Sequence, residues 1–201
     1  MAEYCNTALC ASPDPLVVVL DRAFEAVGVL ASNVGADQWS AATPCADWDV
    51  RRLVDHLIGM NRVFTALLAD APVPRRAAGD QVEEDPVIAF RESSAALLLA
   101  FGQPGVLDRQ YKGPLGTASG AERLQIRLYD LLAHGWDLAH ATGQSVDLPD
   151  DLVGSSVAFA RTQLAGQSRD GRFGPPQDVD ENASAIERLV AFLGRSVTPP
   201  P

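Results

Sequence analysis

The chain has 201 residues, of which 47% are hydrophobic, enough for one sizeable folded domain and short for two. A formal charge of −10 argues against nucleic acid as a partner, because phosphate binding needs a positive surface that displaces counterions. Apolar runs such as 16–20 and 95–101 fall far below the roughly 18–20 residues needed to cross a bilayer, so no membrane partner is expected.

Taken in chain order, Pro and Gly punctuate a series of helical patterns. The N-terminal 13 residues hold neither a basic stretch nor a continuous apolar run, which speaks against a secretory signal, and they are expected to be flexible. Ser12-Pro13-Asp14-Pro15 supplies a cap and a proline for the first helical position, after which Leu16, Leu20, Phe24 and Val27 share a face. A connector through Thr43-Pro44-Cys45 reaches Trp48 and Asp49, and Asp49 reads as the cap of a second helix. There Val50, Leu53, Val54, Leu57, Met60, Val63, Phe64 and Leu67 recur at spacings of three and four, the clearest amphipathic helix in the chain. A charged, proline-bearing loop over 72–85 leads to a third helix over about 86–101. Residues 102–120 carry Gly, Pro and few periodic apolar positions and read as a long surface loop. The fourth helix runs over about 121–142 and stops at Gly143. Asp150 is placed to cap a fifth, to about 164, and a turn-rich stretch precedes a last short helix over about 183–193. The tail, 197–201, should fray. No stretch sustains the period-two alternation of a strand, so the fold class is all-α, with one helical domain over 14–196.

Cys5, Cys10 and Cys45 are odd in number and form no close pair, which fits reduced thiols in a cytoplasmic protein better than a disulfide framework. Cys45 reads as a small apolar residue. The pairs Arg51-Arg52 and Arg75-Arg76 read as solvated positions.

The chemistry-bearing candidates are few. His56 falls mid-way along the second helix, near Leu53, Met60 and Val63 on its buried side. Asp130 and His134 are one turn apart on the fourth helix, a carboxylate and an imidazole that project from one face and can converge on one ion. Asp137 shares that face and reads as a supporting or capping group. His140, six residues past His134, is rotated about 240° away and should not join it. Taken alone, His56 also fits a partly buried histidine with a hydrogen-bond partner, and Asp130 with His134 a helix-surface ion pair. Spacing by itself does not establish a metal site. Trp48, Trp136 and Tyr129 either line a pocket there or pack the second helix against the fourth. Arg172 and Phe173, in a Gly-rich loop, are placed to cover its mouth.

Two segments carry a resemblance. Thr43-Pro44-Cys45-Ala46-Asp47-Trp48-Asp49-Val50, running on to His56 and Asn61, and Tyr129-Asp130-Leu131-Leu132-Ala133-His134-Gly135-Trp136-Asp137 together resemble the paired signatures of the DinB/YfiT-like superfamily, in the branch of mycothiol-dependent maleylpyruvate isomerase. Phe173-Gly174-Pro175-Pro176 and the helix from Ile186 to Arg195 resemble that branch's C-terminal part. The resemblance implies a four-helix bundle of up-down-down-up topology with additional C-terminal helices. It also implies a divalent metal held by His56, Asp130 and His134. Many members place Glu or His where this chain has the shorter Asp130. Zinc is the default ion for two imidazoles and a carboxylate, with nickel and iron compatible by ligand type. The implied partners are a low-molecular-weight thiol such as mycothiol and a small-molecule substrate, in thiol transfer or thiol-assisted isomerisation. A metal- or small-ligand-binding protein without turnover, and a bundle with a vestigial site, are the rival readings. Oligomeric state stays open, a homodimer included.

Overall fold

The helices begin where the sequence supplies a cap. In the computed structural model, which describes residues 12–45, 48–72, 85–113, 116–145, 148, 150–169 and 172–197, helix α1 spans Pro15–Ser32, α2 Val50–Leu68 and α3 Pro86–Phe101. Each follows an aspartate whose carboxylate accepts from the first free backbone N–H groups: Asp14 from Leu16 N, Asp49 from Arg52 N, and Asp85 from Val87 N and Ile88 N. Helix α4, Gly120–Thr142, opens with a reciprocal capping box between Ser119 and Glu122 and closes on Gly143, whose φ of 68° is left-handed. Helices α5, Asp150–Gln163, and α6, Ala185–Phe192, complete the set. Asp150 is therefore the first residue of α5 rather than its cap, and Ser184 caps α6.

One expectation is corrected. Residues 102–120 are not a plain loop: strands β1, Gln110–Gly113, and β2, Gly116–Ser119, form an antiparallel pair with Tyr111 opposite Ala118. Four-residue strands with a single buried side chain, Tyr111, leave no alternation to read. What holds them is Arg123 of α4, whose Nη2 donates to the carbonyls of Tyr111 (2.9 Å) and Gly116 (2.5 Å).

Side-chain contacts fix the directions of the four long helices. Along α1 and α4 the numbering rises together: Arg127 lies 5.6 Å from the Phe24 ring, Gly135 faces Val27, and Gln144 donates to the Leu30 carbonyl. These two are parallel. Against α2 the order reverses, since Arg127 meets Asn61 and Asp130 meets His56, so α2 and α4 are antiparallel. The start of α3 (Asp85, Pro86, Val87) shares a groove with Arg51 at the start of α2 and with Val34 and Trp39 beyond the end of α1. Helix α3 thus runs with α2 and against α1, giving an up-down-down-up bundle in which α2 packs between α3 and α4. Helices α5 and α6 pack on each other and on α4. Gly135 permits the α1–α4 contact, because a Cβ there would lie 2.7 Å from Val27 Cγ2. Among the described residues no helix is long and apolar enough to cross a membrane. Of the expected flexible ends, only Ser12, Pro13 and Val197 fall within the described residues, and Cys5, Cys10 and the Arg75-Arg76 pair lie outside them.

Candidate metal centre

The connector before α2 builds one wall of the site. Thr43 Oγ1 donates to the carbonyls of Trp48 (2.9 Å) and Cys45 (3.2 Å), Trp48 N bonds back to the Cys45 carbonyl, and Ala42 pairs with Asp49 across an isolated bridge. This tight fold stands Trp48 over the facing surfaces of α2 and α4. Its ring centre is 4.6 Å from that of His56 and 5.5 Å from that of His134, and the two imidazoles are 4.8 Å apart.

Under Trp48 the three expected donors meet. Asp130 Oδ1 is 3.6 Å from His56 Nε2 and 3.6 Å from His134 Nε2, and one donor atom from each residue lies within 4.8 Å of the other two. Donors that share one ion at about 2.0–2.2 Å stand roughly 3–3.5 Å apart, so the set needs only small side-chain rotations to close on a single cation. Two imidazole nitrogens and a carboxylate oxygen are chemically a transition-metal set and leave coordination positions open. The residues fit the ion.

Electrostatics keeps Asp130 a carboxylate. Burial raises the pKa of Asp130, but the contact with His56 and the charges of His56, His134 and Arg127 outweigh it and hold the carboxyl far below the usual range. Asp137 behaves alike: burial pushes it up, while His134 and Arg195 bring it down on balance. As a carboxylate it can only accept, so the 3.0 Å bond to His134 is donated by Nδ1, and Nε2 is the ring nitrogen that faces Asp130. Arg195, from the segment after α6, grips both Asp137 oxygens, with Nε 3.2 Å from Oδ1 and Nη2 2.8 Å from Oδ2. Cys45, His134 and Asp137 form a second group of donor atoms close enough for an ion. There Arg195 already occupies both carboxylate oxygens, so Asp137 orients His134 instead.

The remaining candidates separate. His140 is exposed, joins no donor group among the described residues, and stacks on Trp136 at 4.9 Å. Tyr129 turns toward α5, its hydroxyl 3.2 Å from Gln163 Oε1 and its ring beside Phe159. Burial, then the charge of Asp130, pushes its phenol well above the ordinary range, opposed by Arg172. Of the three aromatic candidates, Trp48 is the one that stands against His56 and His134. Sequence reasoning missed Arg127, Asn61 and Arg195. Two of them carried a signal: Arg127 precedes Asp130 by three residues, and Asn61 falls inside the apolar stripe of α2.

The family profile described as the mycothiol maleylpyruvate isomerase N-terminal domain matches residues 20–139, a span that holds all three donors. The chain belongs to this family. The chain is also similar to the uncharacterized proteins MT0763 and Rv0738 of Mycobacterium tuberculosis, strains CDC 1551 / Oshkosh and ATCC 25618 / H37Rv. Each is 36% identical over 191 residues, covering 92% of this chain and 99% of the relative. No solved structure matches significantly. The mycothiol maleylpyruvate isomerase N-terminal domain match ends at 139, so Arg195 reaches the site from outside it.

Proposed function

We propose that this protein binds one divalent transition-metal ion, zinc before nickel or iron, through His56, Asp130 and His134, and uses it in mycothiol-type thiol transfer or isomerisation. The observation that carries the reading is the convergence of two Nε2 atoms on one carboxylate oxygen, each at 3.6 Å, from antiparallel helices. An ion with open positions would supply acidity, lowering the pKa of a thiol and polarising a carbonyl. The protein's own part is placement. Asp137 fixes the His134 tautomer, Trp48 shields the imidazoles from water on one side, and α2 and α4 hold the donors on rigid elements. The family supports a low-molecular-weight thiol as cosubstrate and a small molecule as substrate. That chemistry belongs in a reducing, cytoplasmic setting.

Elemental analysis of the purified protein beside His56→Ala and His134→Ala tests the reading. We expect near one equivalent of metal in wild type, its loss in both variants, and thiol-dependent substrate consumption only in wild type. Full metal content in either variant would sink the site. Metal without thiol-dependent turnover would leave a binding protein.

A further inference from the structure

Arg127 is wholly buried, its side chain 0% exposed. A buried guanidinium is costly unless its charge is met and its donors are satisfied. Here Nη1 donates to Asp130 Oδ2 at 2.8 Å, Nε to Asn61 Oδ1 at 2.9 Å, and Nη2 to the Leu57 carbonyl at 3.3 Å. Asn61, itself fully buried, is oriented from α3: its Nδ2 donates to Ser93 Oγ (3.1 Å) and Ser94 Oγ (3.2 Å), and Ser93 Oγ donates to the Phe90 carbonyl. With its NH2 committed to the serines, the Asn61 oxygen can face only Arg127. The chain of bonds thus runs from α3 through α2 to α4 and ends on the carboxylate between the two histidines. It divides that carboxylate: Oδ2 goes to Arg127, and Oδ1 stands 3.6 Å from each imidazole nitrogen.

We propose that Arg127, oriented by Asn61 and the Ser93/Ser94 pair, is a positioning residue that presents Asp130 to the ion through one oxygen only. This rests on the metal reading above. With Oδ2 held by Arg127, the ion meets one carboxylate oxygen and two imidazole nitrogens. Such a site selects borderline transition ions over calcium or magnesium, which require several oxygens.

The test uses the full chain and Co2+ as probe, with affinity read by competition against a chromophoric chelator and geometry by the visible d–d bands. Asn61→Ala, which touches neither Asp130 nor the ion, and Arg127→Met should weaken Co2+ binding about 10- to 100-fold. Both should change the d–d bands as Asp130 Oδ2 becomes available. Arg127→Lys should recover part of the affinity. Urea unfolding without metal, run in parallel, restricts the comparison to folded protein, and Ser94→Ala is the milder variant should Asn61→Ala not fold. Folded variants with wild-type affinity and bands would reduce Arg127 to a structural role and overturn the proposal. Wild type that takes up neither Co2+ nor Zn2+ would overturn the metal reading, and this proposal with it.

Discussion

Asp130 carries two duties that a single substitution cannot separate but a comparison can. It is the carboxylate of the proposed donor set and also the counter-charge of a fully buried arginine. Removing a partner from a buried ion pair costs about 3–5 kcal/mol, because the charge left behind is uncompensated. In metal-free protein, Asp130→Ala should therefore lower the unfolding free energy by about that much. His56→Ala should cost clearly less, since it strands no charge. Equal losses in urea titrations with chelator present would contradict the assignment of Arg127 to Asp130. Asp137 offers a parallel case, holding His134 with one hand and Arg195 with the other. Asp137→Asn should weaken zinc binding about 10- to 100-fold, as loss of an outer-shell carboxylate does elsewhere. Unchanged affinity would remove Asp137 from the site.

At the scale of helices, α4 shows two local rules at work. Its capping box lowers the pKa of Glu122, chiefly through the Ser119 backbone hydrogen bond and then the Ser119 hydroxyl. A depressed carboxylate contributes stability that is present above its ordinary value of about 4.5 and is lost as pH falls through the folded value. Glu122→Gln should accordingly flatten the acid limb of a stability-versus-pH curve below that point and lower stability at pH 7. An unaltered acid limb would show that the box contributes nothing. Further along, Gly135→Ala gains about 1 kcal/mol in helix propensity. It also drives a methyl to within 2.7 Å of Val27 Cγ2, in a residue with no exposed surface. Overpacking costs of about 1–3 kcal/mol then win. The same change in a Val27→Ala background should be neutral or stabilising, a sign reversal that thermal melts of the four proteins would read. These helices were legible in the sequence because caps and apolar stripes are local: Asp49 and Gly143 act within one turn of themselves. The hairpin was not, since Tyr111 is the one buried side chain of its two strands, which are tied by Arg123, a residue of the next element.

Across the whole molecule, the same division explains what the site disclosed. His56, Asp130 and His134 could be nominated from spacing and resemblance, because Asp130 and His134 share a helix face and both segments carry a signature. Arg195 could not, because nothing local to it points 58 residues back to Asp137. Its partner is set by the packing of α6 on α4, which no periodicity records. The matched family span, 20–139, therefore contains the proposed donors but not all that orients them. Removing the chain after Gly194 should leave the bundle helical by circular dichroism yet loosen His134 and reduce zinc affinity. Undiminished affinity in that shortened protein would show the C-terminal segment to be dispensable to the centre.

The stacking of Trp48 on both histidines has an optical consequence. Three tryptophans emit in this protein, and they differ in what they touch. Trp48 alone lies against the donor imidazoles, while Trp136 stacks on His140 and Trp39 sits in the groove beside Arg51. A paramagnetic ion seated between the histidines would quench one indole by contact and leave the other two nearly unaffected. The intensity that Co2+ removes, and that Trp48→Phe abolishes, is then a direct readout of loading that needs neither substrate nor turnover.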